Sequence, residues 1–298
     1  MTEKTLNNRK NGMVVLLLLV LVYVASVVLF IFGVSYDILP LTLISCVWFV
    51  FGWIFFLGLK VLKPQEALVL TLFGKYVGTL KNSGFYFVNP FCTAVNPAAG
   101  TKLNQSGDVK VLGAKQPSGG VDVSIDIPTK KISLKIMTLN NNRQKINDCL
   151  GNPVEIGIAV MWRVVDTAKA VFNVDNYKEY LSLQCDSALR NIVRIYPYDI
   201  APNVDTTGDG IADEGSLRGS SEVVAARIKD EIQDKVSEAG IEILEARITY
   251  LAYAPEIAAV MLQRQQASAI IDARKMIVDG AVGMVEMALE RLSENRIV

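Results

Sequence analysis

Histidine is absent from the 298 residues. Its absence removes the commonest general base and the commonest metal ligand. An excess of either charge is also missing: Lys plus Arg number 30, and Asp plus Glu number 30. No basic field exists to hold nucleic-acid phosphates, so no nucleic-acid partner is expected. Cysteine is scarce, and Cys46, Cys92, Cys149 and Cys185 include no CxxC spacing. A zinc site or a disulfide framework needs closer, paired thiols. These four read as reduced cysteines in a cytosolic or membrane setting. GxSxG, HExxH, Walker A and GxGxxG are all missing. A Ser–Lys dyad has no motif to search for. On these absences the chain reads as a non-enzyme without a cofactor.

Apolar residues, by contrast, are plentiful. They make up 51% of the chain, and the mean hydropathy is +0.32. An excess of that size points to membrane segments, and the first sixty residues contain them. No charged residue occurs from Met13 to Val34 or from Ile38 to Leu59. Each run has about 22 residues, or ~33 Å as helix, enough for the ~30 Å hydrocarbon core. Ser35, Tyr36 and Asp37 separate the runs, and Pro40 falls where a helix tolerates a missing N–H. The pattern predicts a helical hairpin with a tight turn. The first run is too long for a cleaved signal peptide, and a second follows at once. A shallow re-entrant hairpin is the alternative to full spans. Lys4, Arg9 and Lys10 precede the hairpin, and Lys60 and Lys63 follow it. Positive residues stay inside, so both ends are expected in the cytoplasm of a multi-pass cell-membrane protein. Trp48 and Trp53 lie within the second run rather than at its ends, which fits packing on the partner helix better than an aromatic belt.

Beyond Pro64 the period changes to two. Ala67–Phe73, Tyr76–Leu80 and Phe85–Val88 read as strands punctuated by Gly74, Asn82-Ser83-Gly84 and Asn89-Pro90. Phe85, Phe87 and Phe91 are open to two readings, core packing or contact with lipid headgroups. Gly107–Pro128 reads as a loop or insertion. Lys131–Leu139 alternates as a strand, and Val154–Val164 does so most clearly. Helices are expected over Thr167–Phe172, Tyr177–Ile195 and Ser221–Ala239, with Gly240 as a stop and Ser221 as an N-cap. Ile241–Leu251 is a last strand. Pro255 then opens a helix that can run to the end of the chain. Its apolar members include Ala267, Ile270, Ile271, Ile277, Val278, Val282, Val285 and Leu289. A helix so long cannot cover that stripe against a small domain, so these residues are the expected homo-oligomerisation surface, packed closely and without a strict heptad. Arg264, Arg274, Lys275, Glu286, Glu290 and Arg291 read as its solvated face.

Asn203–Ser221, rich in Gly, Asp and Ser, reads as a second loop insertion, and part of it has the outline of a metal site. Asp205, Asp209 and Asp213 fall at calcium-loop positions 1, 5 and 9, with Gly210 at the turn. Position 3 is Thr207, and Ser216 stands where a bidentate Glu belongs. A solvated linker accounts for the same composition, so no metal is assigned.

Four segments carry a family resemblance: PQEALVLTLFGKYVGTLKNSGFYFVNPF, GNPVEIGIAVMWRVVD, QCDSALRNIVRIYPYD, and the close from ILEARITYLAYAPEIAAV to VEMALERL. In that order, from about Val61 onward, they resemble the stomatin/prohibitin/flotillin (SPFH, band 7) family. The likeness is greatest to its bacterial branch with an N-terminal transmembrane hairpin. The resemblance implies an α/β (α+β) SPFH-type domain lying along the inner leaflet, preceded by two transmembrane helices and followed by a long C-terminal helix. It divides the chain into a tail (1–12), a hairpin (13–61), the domain (62–255) and an oligomerisation helix (256–298). It further implies a ring-like or cage-like coiled-coil homo-oligomer, a scaffold for membrane microdomains. The implied partners are membrane lipid and client membrane proteins, a membrane protease among them. The competing reading is an accessory subunit of a membrane protease or hydrolase. Gly107–Pro128 departs from the family pattern, so no local contact is carried over there.

Overall fold

The computed structural model describes residues 2–6, 11–36, 38–101, 103, 130–141, 143–199 and 215–294. Two apolar helices come first. Helix α1 spans Gly12–Ser35; α2 spans Leu39–Phe51, and the short α3, Trp53–Phe56, follows it after Gly52. The first is 24 residues long and the α2–α3 pair 18, which makes both long and apolar enough to cross a membrane. The protein itself buries only 11% of each. A buried core helix would be covered by its neighbours; these two expose Leu, Val, Ile and Phe almost all round, consistent with a membrane anchor.

The two helices meet along a narrow seam. The buried residues of α1 are Gly12, Leu19, Ser26 and Gly33, one every seventh position. Small residues there let backbones approach, as helices in lipid require. A Cβ on Gly33 would come within 2.7 Å of the Thr42 side chain. Midway along α1, Tyr23 packs edge-on to Phe49 at 5.9 Å and tilted to Trp48 at 6.3 Å. Trp48 thus packs on the partner helix, as its position within the run predicts; Trp53 does not, being exposed with its ring against Phe56 of its own helix.

The second helix stops at Phe56, short of the Leu59 that the apolar run suggested. The reason is a strand. Residues Leu59–Leu62 form β1, which pairs antiparallel with β4 further along. Between them lie β2 (Glu66–Leu72) and β3 (Lys75–Leu80), and β4 spans Gly84–Phe87. Two short strands follow, β5 (Thr93–Ala94) and β6 (Ile132–Ser133), and both pair with β2. Next come β7 (Met137–Asn140), β8 (Gln144–Asn147) and β9 (Pro153–Val164). Lys131–Leu139 is therefore not one strand. The chain leaves β2 after Ser133 and joins β9 at Met137, exposing Ile136 on the way.

Helices α4 (Thr167–Phe172), α5 (Tyr177–Val193) and α6 (Ser221–Val236) follow. Ser221 is the first helical residue of α6, not its cap. Asp166 caps α4 by accepting from the Lys169 N–H at 2.9 Å. After α6 a single 3₁₀ turn ends at Gly240, whose φ of 65° is left-handed. A side chain there would strike the Asp166 carbonyl at 2.4 Å, so glycine is required twice over. Strand β10 (Ile241–Tyr253) and helix α7 (Pro255–Glu294) complete the chain.

Two compact units result. The first comprises residues 1–142, 158–192 and 222–247. One of its cores gathers Leu62, Leu68, Leu70, Leu80, Tyr86 and Cys92. Its part of β9 contributes Ile158, Val160, Trp162 and Val164, all but sealed from solvent, and α6 adds Val224, Ile228, Ile232 and Val236 at a spacing of four. The second unit comprises 143–157, 193–221 and 248–298. Its organising group is Asp148, which accepts from the N–H groups of Leu150, Asn152 and Tyr198 at 2.9, 2.8 and 3.2 Å. Tyr198 and Tyr253 lie with ring centroids 3.9 Å apart, Ala254 N–H donates to the Pro153 carbonyl, and α7 starts from that collar.

Candidate assembly and membrane surfaces

Among the described residues, those that metal or nucleophile chemistry would need do not converge. Among the described residues no group of three or more His, Cys, Asp or Glu side chains is placed to hold a metal. Asp205, Asp209 and Asp213, and the Gly107–Pro128 stretch, lie outside the described residues. An open hollow of about 420 Å³ is lined by Asn173, Asp175, Asn176, Glu179, Tyr180 and Leu183. Three of its polar side chains are engaged in structure: Asn173 donates to the Glu238 carbonyl, Asn176 to Thr101, and Tyr180 to the Lys235 carbonyl. Cys185 is sealed in α5, and burial beside Asp186 pushes its thiol up to about 12, the opposite of what a nucleophile needs.

What the chain does present is apolar surface in two places. The first is the base of the hairpin. Both ends of the hairpin rest on β4. A Cβ on Gly12 would meet the Phe85 backbone at 2.7 Å, and one on Gly58 would meet the Val88 carbonyl at 2.4 Å. The Val88 N–H donates to the Gly58 carbonyl at 2.9 Å. Glycine at those two positions is what lets helix and strand approach so closely. In β4 itself Tyr86 faces the core, while Phe85 and Phe87 are half-buried. Phe91 is exposed, and its ring stacks at 6.5 Å on Phe73, which is 87% exposed at the tip of the β2–β3 turn. Phe73 also has a left-handed φ of 48°, a conformation that costs a bulky residue about 1–3 kcal/mol. Phe73 was not singled out in the sequence, because it closes an apolar strand pattern and looks like one more inward residue.

The second surface is α7. It has 40 residues, so it is ~60 Å long at 1.5 Å per residue. Every residue from Gln266 to Val282 is exposed. Ala267, Ile270, Ile271, Ile277, Val278, Val282, Val285 and Leu289 fall on one face, at 100° per residue, and all are exposed. Ala269, Ala273, Gly280 and Gly283 form a second, small-residue face with Met276 and Met287. Lys275, Glu286, Asp279, Asp272 and Glu290 are confined to an arc of about 60°. Arg274 interrupts the aliphatic face, and its long stem can cover apolar neighbours while the head reaches water. Of the six charged residues expected on one solvated face, Lys275, Glu286 and Glu290 share it with Arg264 at its rim, whereas Arg274 and Arg291 fall on the other two faces; between Ala267 and Val285 those two faces are apolar apart from Arg274. A helix that is exposed and apolar on two faces has room for a neighbour on each.

The comparisons with known proteins agree with this architecture. No curated protein matches the chain. Residues 60–278 match the family described as SPFH domain / Band 7, a stretch that takes in the strands, α4 to α6 and more than half of α7. With its mixed α/β domain, two apolar helices before it and one long helix after it, the chain belongs to the SPFH domain / Band 7 family.

Proposed function

We propose that this chain is a hairpin-anchored membrane scaffold of the bacterial SPFH type that assembles with copies of itself through α7. The observation that carries the reading is the helix: 40 residues, apolar on two faces, with the run from Gln266 to Val282 exposed in the single chain. Buried apolar surface is worth ~25 cal/mol per Å², so so long a stripe left in water is a strong drive to associate. Ala267, Ile270, Ile271, Ile277, Val278, Val282, Val285 and Leu289 form the contact face, and the small-residue face admits a second neighbour closely.

Both ends of the hairpin stand on β4, which supports a topology with both ends on one side of the bilayer. Lys4, Arg9, Lys10, Lys60 and Lys63 mark that side as the cytoplasm. In the exposed Phe73–Phe91 pair, Phe91 lies three residues past Val88, against which the hairpin base rests, and the pair is read as dipping into the headgroup layer. On this reading the hairpin is 13–61, the domain 62–255 and the assembly helix 256–298. The family is typically non-catalytic, and an assembled array on the inner leaflet organises lipid and client membrane proteins, a protease among them.

The test is the mass of the full-length protein in gentle detergent, by light scattering on a sizing column. A large, uniform multimer is expected. A monomer or dimer would sink the scaffold reading.

A further inference from the structure

The free edge of β3 is already occupied. The sheet order is β3-β2-β5, which leaves β3 at the rim with backbone groups to satisfy. Residues 2–6, ahead of the hairpin, lie along that rim. Thr5 and Thr79 form a parallel bridge; Leu6 N–H donates to the Thr79 carbonyl at 2.9 Å, and Thr79 N–H to the Lys4 carbonyl at 2.8 Å. The Tyr76 hydroxyl accepts from the Lys4 N–H at 3.2 Å.

Side chains make the contact selective. Glu3 enters a socket made by two buried threonines and the half-buried Lys81. Its carboxylate accepts from Lys81 Nζ at 2.6 Å, from the Thr167 hydroxyl at 2.5 Å and from the Thr167 N–H at 3.4 Å. Thr79 and Thr167 are both fully buried, with their hydroxyls 3.1 Å apart, and Lys81 also donates to the Val165 carbonyl at 2.7 Å. The Glu3 side chain retains only 13% exposure. A mere surface tail would not place a carboxylate where an unmatched charge is so costly. Three residues on, Leu6 packs against the core cluster of Leu68, Leu70 and Leu80. Gly78 makes its space: a Cβ there would stand 2.6 Å from Leu6 Cγ and 2.9 Å from the Lys4 carbonyl.

We propose that the edge of β3 is a strand-docking site, selective for an extended segment with a carboxylate three residues ahead of an apolar side chain, and that the chain fills it with its own residues 2–6. The occupant closes an edge that would otherwise offer itself to strands of neighbouring copies, and gives the domain an attachment on the α1 side of the hairpin in addition to β1 on the other. The site requires neither assembly nor a bilayer, so it stands apart from the scaffold reading.

Hydrogen exchange on the full chain tests it, read at the amides of Leu6 and Thr79. In the native protein both should be protected. Glu3→Ala should speed their exchange by ~10-fold or more, the loss of a charge-assisted contact. Gly78→Val should do the same by filling the space of Leu6, while the β1–β4 amides keep their protection in both variants. A free peptide with the sequence of residues 2–6, added at ~10 mM to exceed the effective concentration of a short tether, should restore Thr79 protection in the Glu3→Ala chain. The same peptide with alanine in place of glutamate should not. Native amides that exchange as fast as those of Glu3→Ala overturn the docking. Equal rescue by both peptides, or by neither, overturns the selectivity.

Discussion

Strand β9 and helix α7 are the two most regular stretches of the chain, and they are opposites. In β9 Val154, Ile156, Ile158, Val160, Trp162 and Val164 alternate along one face, and each is 3% exposed or less. Neighbours on both sides complete it: β10 lies along one edge, and β7 and then β8 along the other, with Met137 opposite Trp162 and Gln144 opposite Ile156. In α7 the apolar residues repeat as insistently, yet Ile277 is 72% exposed. The same chemistry is satisfied within one chain in the strand and left open in the helix. The lesson is that an apolar pattern specifies burial without saying whose atoms supply it.

The comparison breaks most severely in β9. Ile158→Asp would place an unpaired charge among sealed side chains, and no folded domain is expected by circular dichroism. Trp162→Ala should cost about 3–5 kcal/mol in denaturant unfolding. Trp162→Phe should cost much less, because the indole Nε1 is buried without a hydrogen-bond partner among the described residues, and phenylalanine removes that orphan. If Ile158→Asp folds normally, the strand is not the core it resembles.

The same charge in α7 should act on assembly alone. Ile271→Asp with Val278→Asp, or deletion from Ala267 onward, should abolish the multimer on a sizing column. The domain's unfolding free energy should stay within about 0.5 kcal/mol, as for other exposed sites. An equal loss of stability would mean that the helix completes the core of its own chain.

A smaller effect sharpens the comparison where the helix begins. Burial first, and then Asp199, Asp148 and Tyr198, push the Tyr253 hydroxyl up to about 12. The unfolded residue ionises near ~10. Between these values the unfolded chain has lost the proton that the folded chain still holds, so stability falls as pH rises from about 10 to about 12. Tyr253→Phe should flatten that part of a stability–pH profile. A profile unchanged by the substitution would remove Tyr253 from the collar's energetics.

The mildest test leaves stability untouched. Maleimide at pH 8 should label exposed Cys149 in the native protein and leave Cys92 and Cys185 unreacted until denaturant is added. Rapid labelling of Cys185 would contradict the tight packing of α5.

The legible parts were those whose own residues fix their environment. Two uncharged runs predicted α1 and the second apolar helix, alternation predicted β9 as observed, and Pro255 marked the start of α7. The illegible parts borrow their order from elsewhere. Gln144–Asn147 is polar and becomes β8 because β9 offers it a ladder. Tyr86 takes the inward place in β4 while phenylalanine flanks it on both sides. As for the candidate surfaces, the apolar face of α7 could be read in advance residue by residue. The heptad seam of α1 and the closeness of Gly12 and Gly58 to β4 could not, since a glycine states only that nothing is there.

The sequence by itself determined which segments must leave water and that no catalytic set is spelled out, because hydrophobicity and residue type are properties of the residues alone. Tertiary structure decided which edges are closed and by what. Residues 2–6 look like an unremarkable polar tail until β3 supplies the other half of each hydrogen bond, and pairing belongs to two segments at once.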